Sequence, residues 1–171
     1  MKNLILKYGL ISGGVGAVMM FCMALYLGND PGKMSNGEVV GYVGIVLSMM
    51  FVYFGVRAYR DQAASGVISF GKAFQVGLLI TLISCAIYVI AWFVVSNTLM
   101  TDFMEKYVAY TLQQLQANGA SAEKIAETTA QMDYYKELYK NPLLKAAITF
   151  IEPFPVGLAV TLLSAAMLRR A

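Results

Sequence analysis

Near the end of the chain, the stretch FIEPFPVGLAV sets Glu152, Pro153 and Pro155 inside a run that is otherwise apolar. A carboxyl group in such surroundings can bind or carry a proton, serve a cation-dependent activity, or accept hydrogen bonds that hold neighbouring helices in place. The prolines add to its chemistry. Each lacks an N–H, so the carbonyls of Thr149 and Ile151 lose their usual helical donors and the helix is expected to kink. Freed carbonyls, a carboxyl and nearby hydroxyls make a polar site of the kind found where irregular backbone lines a cavity.

A second group of candidates is basic. Arg57, Arg60 and Lys72 lie in VRAYRDQAASGVISFGKAF, between two apolar runs. Clustered cations beside a membrane span attract acidic headgroups at about 1 kcal/mol each, which suggests a site for anionic lipid or a partner. The plainer reading is an anchor in which Arg57 or Arg60 lies near Asp61. The phosphate-loop reading fails, because SGVISFGK lacks the GxxxxGK[ST] pattern.

Other chemistries have little to work with. The chain has no histidine, and its two cysteines, Cys22 and Cys85, fall in separate apolar runs. The usual zinc constellations and the imidazole general base are therefore absent, and no nucleophile–base pair replaces them. We expect no catalytic residue, no metal, no cofactor and no enzyme. Met19, Met20, Met23, Met49 and Met50 read as adaptable apolar filler and not as a copper path, because no thiolate, histidine or extended methionine motif accompanies them.

The elements that position these residues follow from composition. The chain is 58% hydrophobic and 13% charged, about half the charge of an ordinary soluble domain. Four apolar runs, Leu4 to Leu27, Val39 to Val56, Phe70 to Val95 and Leu143 to Leu168, approach the roughly 20 residues needed to cross a bilayer. Val39 to Val56 is the shortest, and can recruit Gly37 and Glu38. A soluble bundle would need polar outer faces, whereas these runs are apolar all round. Lys2 and Lys7 at the start of the first run mimic a secretory signal, but its length and its lack of a small-residue cleavage site predict an uncleaved helix.

Orientation follows from the cations. Lys2, Lys7, Arg57, Arg60, Lys72, Arg169 and Arg170 share one side, which the positive-inside preference makes cytoplasmic. Both termini are then inside. The other side receives Gly28 to Glu38, with Asp30 and Lys33, and the longer segment from Ser96 to Asn141. Tyr26, Trp92 and Phe93 are expected at the outer interface and Tyr59 and Phe70 at the inner one.

That longer segment, about residues 102–140, reads as a helical hairpin. Phe103, Tyr107, Tyr110 or Thr111, Leu112 and Leu115 recur at three- and four-residue steps before an Asn118-Gly119 stop. Ser121 then caps a second helix with Ile125, Met132, Tyr135 and Tyr139 on one side, ending near Asn141-Pro142. Its polar content predicts a projecting or loosely docked hairpin. Small residues at four-residue spacing, Gly9 and Gly13, Ser12 and Gly16, Gly37 and Gly41, favour close helix packing, either within the chain or between copies.

Three stretches, YFGVRAYRD, GVISFGKAFQVGLL and TFIEPFPVGL, resemble small bacterial membrane proteins of the family called domain of unknown function 4199. The matching positions are Arg57, Tyr59, Arg60 and Asp61, then Ser69 to Phe74, then Phe150, Glu152 and Gly157. The resemblance implies fold and membrane location, and no activity.

Helix rise gives Glu152 a height. About 24 Å of helix separates it from Leu168, and the same rise up the third run from Lys72 reaches Tyr88. No lysine or arginine of the spans lies at that height, so the carboxyl calls for a proton, a water-lined pocket or a hydroxyl donor. Tyr88 and Tyr42 are the matched candidates.

The sequence thus predicts an all-α, single-domain, integral-membrane four-helix bundle over residues 1–171, with an extramembrane helical hairpin between spans three and four. Its expected setting is a bacterial inner (cytoplasmic) membrane, with the lipid bilayer and a second copy or another membrane protein as partners, and no nucleic acid. Two functions remain open. One is a non-enzymatic packing or interaction component; the other is a small-solute, proton or lipid-handling component using Glu152. They differ in whether Glu152 faces a cavity or a packed interface.

Overall fold

The computed structural model describes residues 2–27 and 34–169. Asp30, Lys33, Arg170 and the side chain of Glu38 lie outside the described residues. Seven helices are described: α1 (Lys2–Leu27), α2 (Met34–Ala63), α3 (Phe70–Thr98), α4 (Phe103–Ala117), α5 (Ala122–Lys140), α6 (Pro142–Ile151) and α7 (Phe154–Leu168). α1, the part of α2 from Val39 to Ala63, α3, and α6 with α7 taken together are each long and apolar enough to cross a membrane. The protein is an all-α bundle of four such helices. α2 continues past the expected Val56 to Ala63, so Arg57, Arg60 and Asp61 sit on its last turns and not in a loop.

In the bundle, α2 and α3 each pack against both α1 and α7. Their shared core is made of Ile45, Met49, Val52 and Val56 from α2, Val76 and Ile80 from α3, and Ala165 from α7. The outward faces are just as apolar. Val18, Leu25, Ile90, Leu163 and Met167 all stand exposed, an arrangement that is stable in lipid, where it would be costly in water.

Close backbone approach depends on the small residues. A Cβ at Gly9 or Gly13 would fall 2.7 Å from Ile83 or Ile87 of α3, and one at Gly157 would fall 2.4 Å from Thr81. The stripe on α1 therefore meets α3 of its own chain. Hydroxyls then join the helices: Ser12 Oγ donates to the Ser48 carbonyl at 2.7 Å, which leaves Ser84 to donate across the 2.9 Å Ser12–Ser84 contact. Thr81 and Thr161 meet at 3.1 Å. In lipid such bonds hold helices together where hydrophobic burial between helices contributes little.

Local signals set the ends of several helices. Ser69 Oγ accepts from Lys72 N, Ser121 Oγ from Lys124 N, and Asn141 Oδ1 from Leu143 N. Gly119 turns the hairpin at φ +69, a left-handed conformation that glycine adopts without steric cost. At the start of α4, Lys106 Nζ lies 2.8 Å from Asp102 Oδ2 and, by hydrogen bonding it, holds that carboxyl below the ordinary aspartate range. The hairpin is loosely docked: in α4 and α5 only Val108 and Thr128 are buried.

Candidate functional site

The fourth span is broken where the prolines fall. α6 stops at Ile151 and α7 starts at Phe154, which leaves Glu152 and Pro153 between them. Pro153 is fully buried and wedges into the bundle, while Pro155 is exposed and takes no part in the site. Glu152 stands at the break, and the Tyr88 hydroxyl of α3 donates to its Oε2 at 3.2 Å. The two residues matched by helix rise are thus brought together.

The carboxyl faces a cavity. Roughly 590 Å³ of space lies between the bundle end and the hairpin, lined by residues of α1 to α6. Glu152 is exposed in spite of its place below the hairpin, because the space beside it is open and not packed. Methionines line part of the wall: Met20 and Met23 from α1, Met100 before α4, Met104 in α4, and Met132 in α5. Tyrosines form much of the rest, with Tyr42 and Tyr88 joined by Tyr107, Tyr110, Tyr135 and Tyr139 of the hairpin.

Two anchors hold the hairpin over this space. Phe103 meets Trp92 edge-on, at 5.0 Å between ring centroids and 85° between planes, and stacks on Tyr107 at 5.8 Å. On the other side, Lys145 of α6 donates to Ser96 Oγ at 2.7 Å and lies 5.2 Å over the Phe93 ring and 6.0 Å over Tyr139. Burial raises the Tyr139 hydroxyl above the ordinary tyrosine range, so it stays a neutral donor near neutral pH. The Trp92 indole N–H is buried next to it without an acceptor at hydrogen-bond geometry.

Trp92, expected at the outer interface, turns its ring into the cavity wall. Tyr59 departs in the same way, since it is buried in the bundle core. Tyr26 and Phe70 are exposed, as interface anchors should be.

The basic group stands apart from this site, at the opposite end of α3. Arg60 Nε donates to Asp61 Oδ1 at 2.7 Å, Arg57 Nε lies 3.8 Å from Asp61 Oδ2, and Lys72 Nζ donates to Gln75 Oε1 at 2.9 Å. All three cations have protein partners. Cys22 is exposed and Cys85 buried, both as free thiols.

Sequence reasoning found Glu152, Tyr88 and Tyr42 but missed the hairpin's share of the site. Its signal was present, because Phe103, Tyr107 and Tyr110 fall at helical spacing on one face of α4, and Tyr135 and Tyr139 on one face of α5. That periodicity was legible as hairpin packing, and what the face covers was not. Among known proteins, the family model described as "Protein of unknown function (DUF4199)" matches residues 7–170. No curated protein and no solved structure matches the chain.

Proposed function

We propose a function for this chain, which belongs to the DUF4199 family, from its cavity: it is a non-enzymatic membrane protein that binds a small amphiphilic solute or lipid-like molecule beneath the hairpin. The observation that carries this reading is that Glu152 faces open space while Tyr88 holds it in place. A carboxyl serving only to fix the bundle would be enclosed by a helix interface. The volume also lies within the roughly 300–1,000 Å³ of small-molecule sites, and the lining has their usual makeup, mostly apolar with a few placed polar groups. A packing or interaction role has less support, since the small-residue stripe of α1 is taken up by α3 of the same chain.

Gly41 provides the test. It lines the cavity, and a Cβ there meets nothing within 4 Å, so Gly41→Phe should intrude on the space without disturbing the bundle. Native mass spectrometry of protein extracted from its membrane in mild nonionic detergent should show a bound molecule on the wild type and none on Gly41→Phe, at unchanged melting temperature. A wild type without any bound molecule, or equal occupancy of the two proteins, would overturn the reading.

The proposed setting is a bacterial cytoplasmic membrane with both termini inside, supported by the basic residues at the end of the bundle opposite the hairpin. In a chain whose two cysteines are replaced by serine, Asn118→Cys should react with an impermeant thiol reagent on intact spheroplasts and Ser65→Cys should not. Reversed labelling would invert the orientation and put the cavity on the cytoplasmic side.

A further inference from the structure

The lining of the cavity is uneven in charge. Among the described residues, Glu152 is the only ionisable carboxyl of the lining, and no lysine or arginine lines it. The ammonium of Lys145 in α6 is held on Ser96 and over Phe93, outside the lining. Tyr88 is the one hydrogen-bond donor to Glu152 among the described residues and reaches only Oε2, so Oε1 is left for a ligand.

The same cavity wall carries aromatic rings from four helices: Tyr42 from α2, Trp92 from α3, Phe103 and Tyr107 from α4, and Tyr135 and Tyr139 from α5. An aromatic face carries negative potential and attracts a cation within about 6 Å of the ring centre. Methionine thioethers, which have no hydrogen-bond donor, make the rest of the wall apolar and polarisable. Such a lining suits an organic cation with an apolar body. It suits an anion badly, because Glu152 would repel it.

A metal ion is a poorer match. Hard cations take several oxygen ligands, and no group of three or more His, Cys, Asp or Glu residues able to hold one is found among the described residues. A neutral amphiphile would fit the volume but would leave the carboxyl uncompensated in a membrane setting, where an unpaired charge is costly. A positive ligand removes that cost.

Building on the reading that the cavity binds a small molecule, we propose that its ligand is a lipophilic organic monocation of the alkylammonium class. Its charge lies between Glu152 and the aromatic rings, and its apolar chain lies among the methionines. Rings and carboxylate act together, as in sites that recognise quaternary ammonium groups.

The chain's single tryptophan, Trp92, stands in the cavity wall, so its fluorescence reports on occupancy directly. Purified protein in nonionic detergent is titrated with three probes of like shape: hexyltrimethylammonium, its neutral isostere 2,2-dimethyloctane, and hexanesulfonate. The cation should give a saturable change with an affinity about tenfold or more above that of either other probe. Glu152→Gln should reduce cation affinity by about tenfold and leave the neutral probe unchanged.

Equal affinities of the wild type for the cation and the isostere, or tighter binding of the sulfonate, would overturn the charge class and leave the cavity-binding reading standing. Full cation preference in a folded Glu152→Gln protein would overturn the role of Glu152. If no probe gives a saturable change in the wild type, and Gly41→Phe behaves identically, both the charge class and the binding reading fall. Should Glu152→Gln not fold, the wild-type comparison of cation with isostere decides alone.

Discussion

Gly157→Leu is expected to lower the stability of the bundle by about 3 kcal/mol, at the upper end of the usual range for overpacking. The position allows no easy relaxation. A Cβ there falls 2.4 Å from Thr81 Cγ2 and 3.1 Å from Met49 Sδ, and both residues are buried. Thr81 is β-branched, bonded to Thr161 Oγ1 at 3.1 Å and to the Gly157 carbonyl at 3.3 Å, so turning it aside breaks what joins α3 to α7. The alternative is for α7 to move away. Because α7 begins two residues after Glu152, such movement also takes the carboxyl away from Tyr88. Thermal unfolding in detergent checks this against Gly14→Leu, where a Cβ meets nothing within 4 Å and the expected change is within about 0.5 kcal/mol. Equal losses at the two positions would mean that α3 and α7 do not approach as described.

The second large effect concerns the carboxyl itself. Glu152→Leu removes the acceptor of the half-buried Tyr88 hydroxyl and should cost about 1 to 2 kcal/mol, the order of a lost side-chain hydrogen bond to a carboxyl. Glu152→Gln retains a carbonyl oxygen at the same reach and should cost less than about 1 kcal/mol. In a Tyr88→Phe background the leucine penalty should largely vanish, because no donor remains to be stranded. The measurement is a double-mutant cycle on melting in detergent. Identical curves for wild type, Gln and Leu would mean that water in the cavity satisfies Tyr88 unaided, and that the pair contributes geometry to the site without stability.

These two positions also separate what was legible beforehand from what was not. Glu152 and Tyr88 were matched by counting helix rise from the basic end, which works because rise per residue is fixed and packed spans run nearly side by side. The hairpin was legible for a similarly local reason. Gly119 supplies the turn, and Ser121 caps the following helix within a few residues of chain. By contrast, nothing local marks Gly157 as a point of close approach, since that depends on Thr81, far away along the chain.

Through hydropathy and capping, the amino-acid sequence alone determined four spans, their approximate limits, the hairpin between the third and fourth, and the height of a carboxyl within the last. Tertiary structure decided which way each span faces. In water, a helix declares its buried side by being apolar there and polar elsewhere; in lipid every side is apolar, so that signal is lost. For this reason Trp92 and Tyr59, expected at the bilayer surface, turn inward to the cavity wall and the core. The same azimuthal choice turns the tyrosine faces of α4 and α5 to the cavity that Glu152 also lines, and only their packing over the bundle forms the space between them.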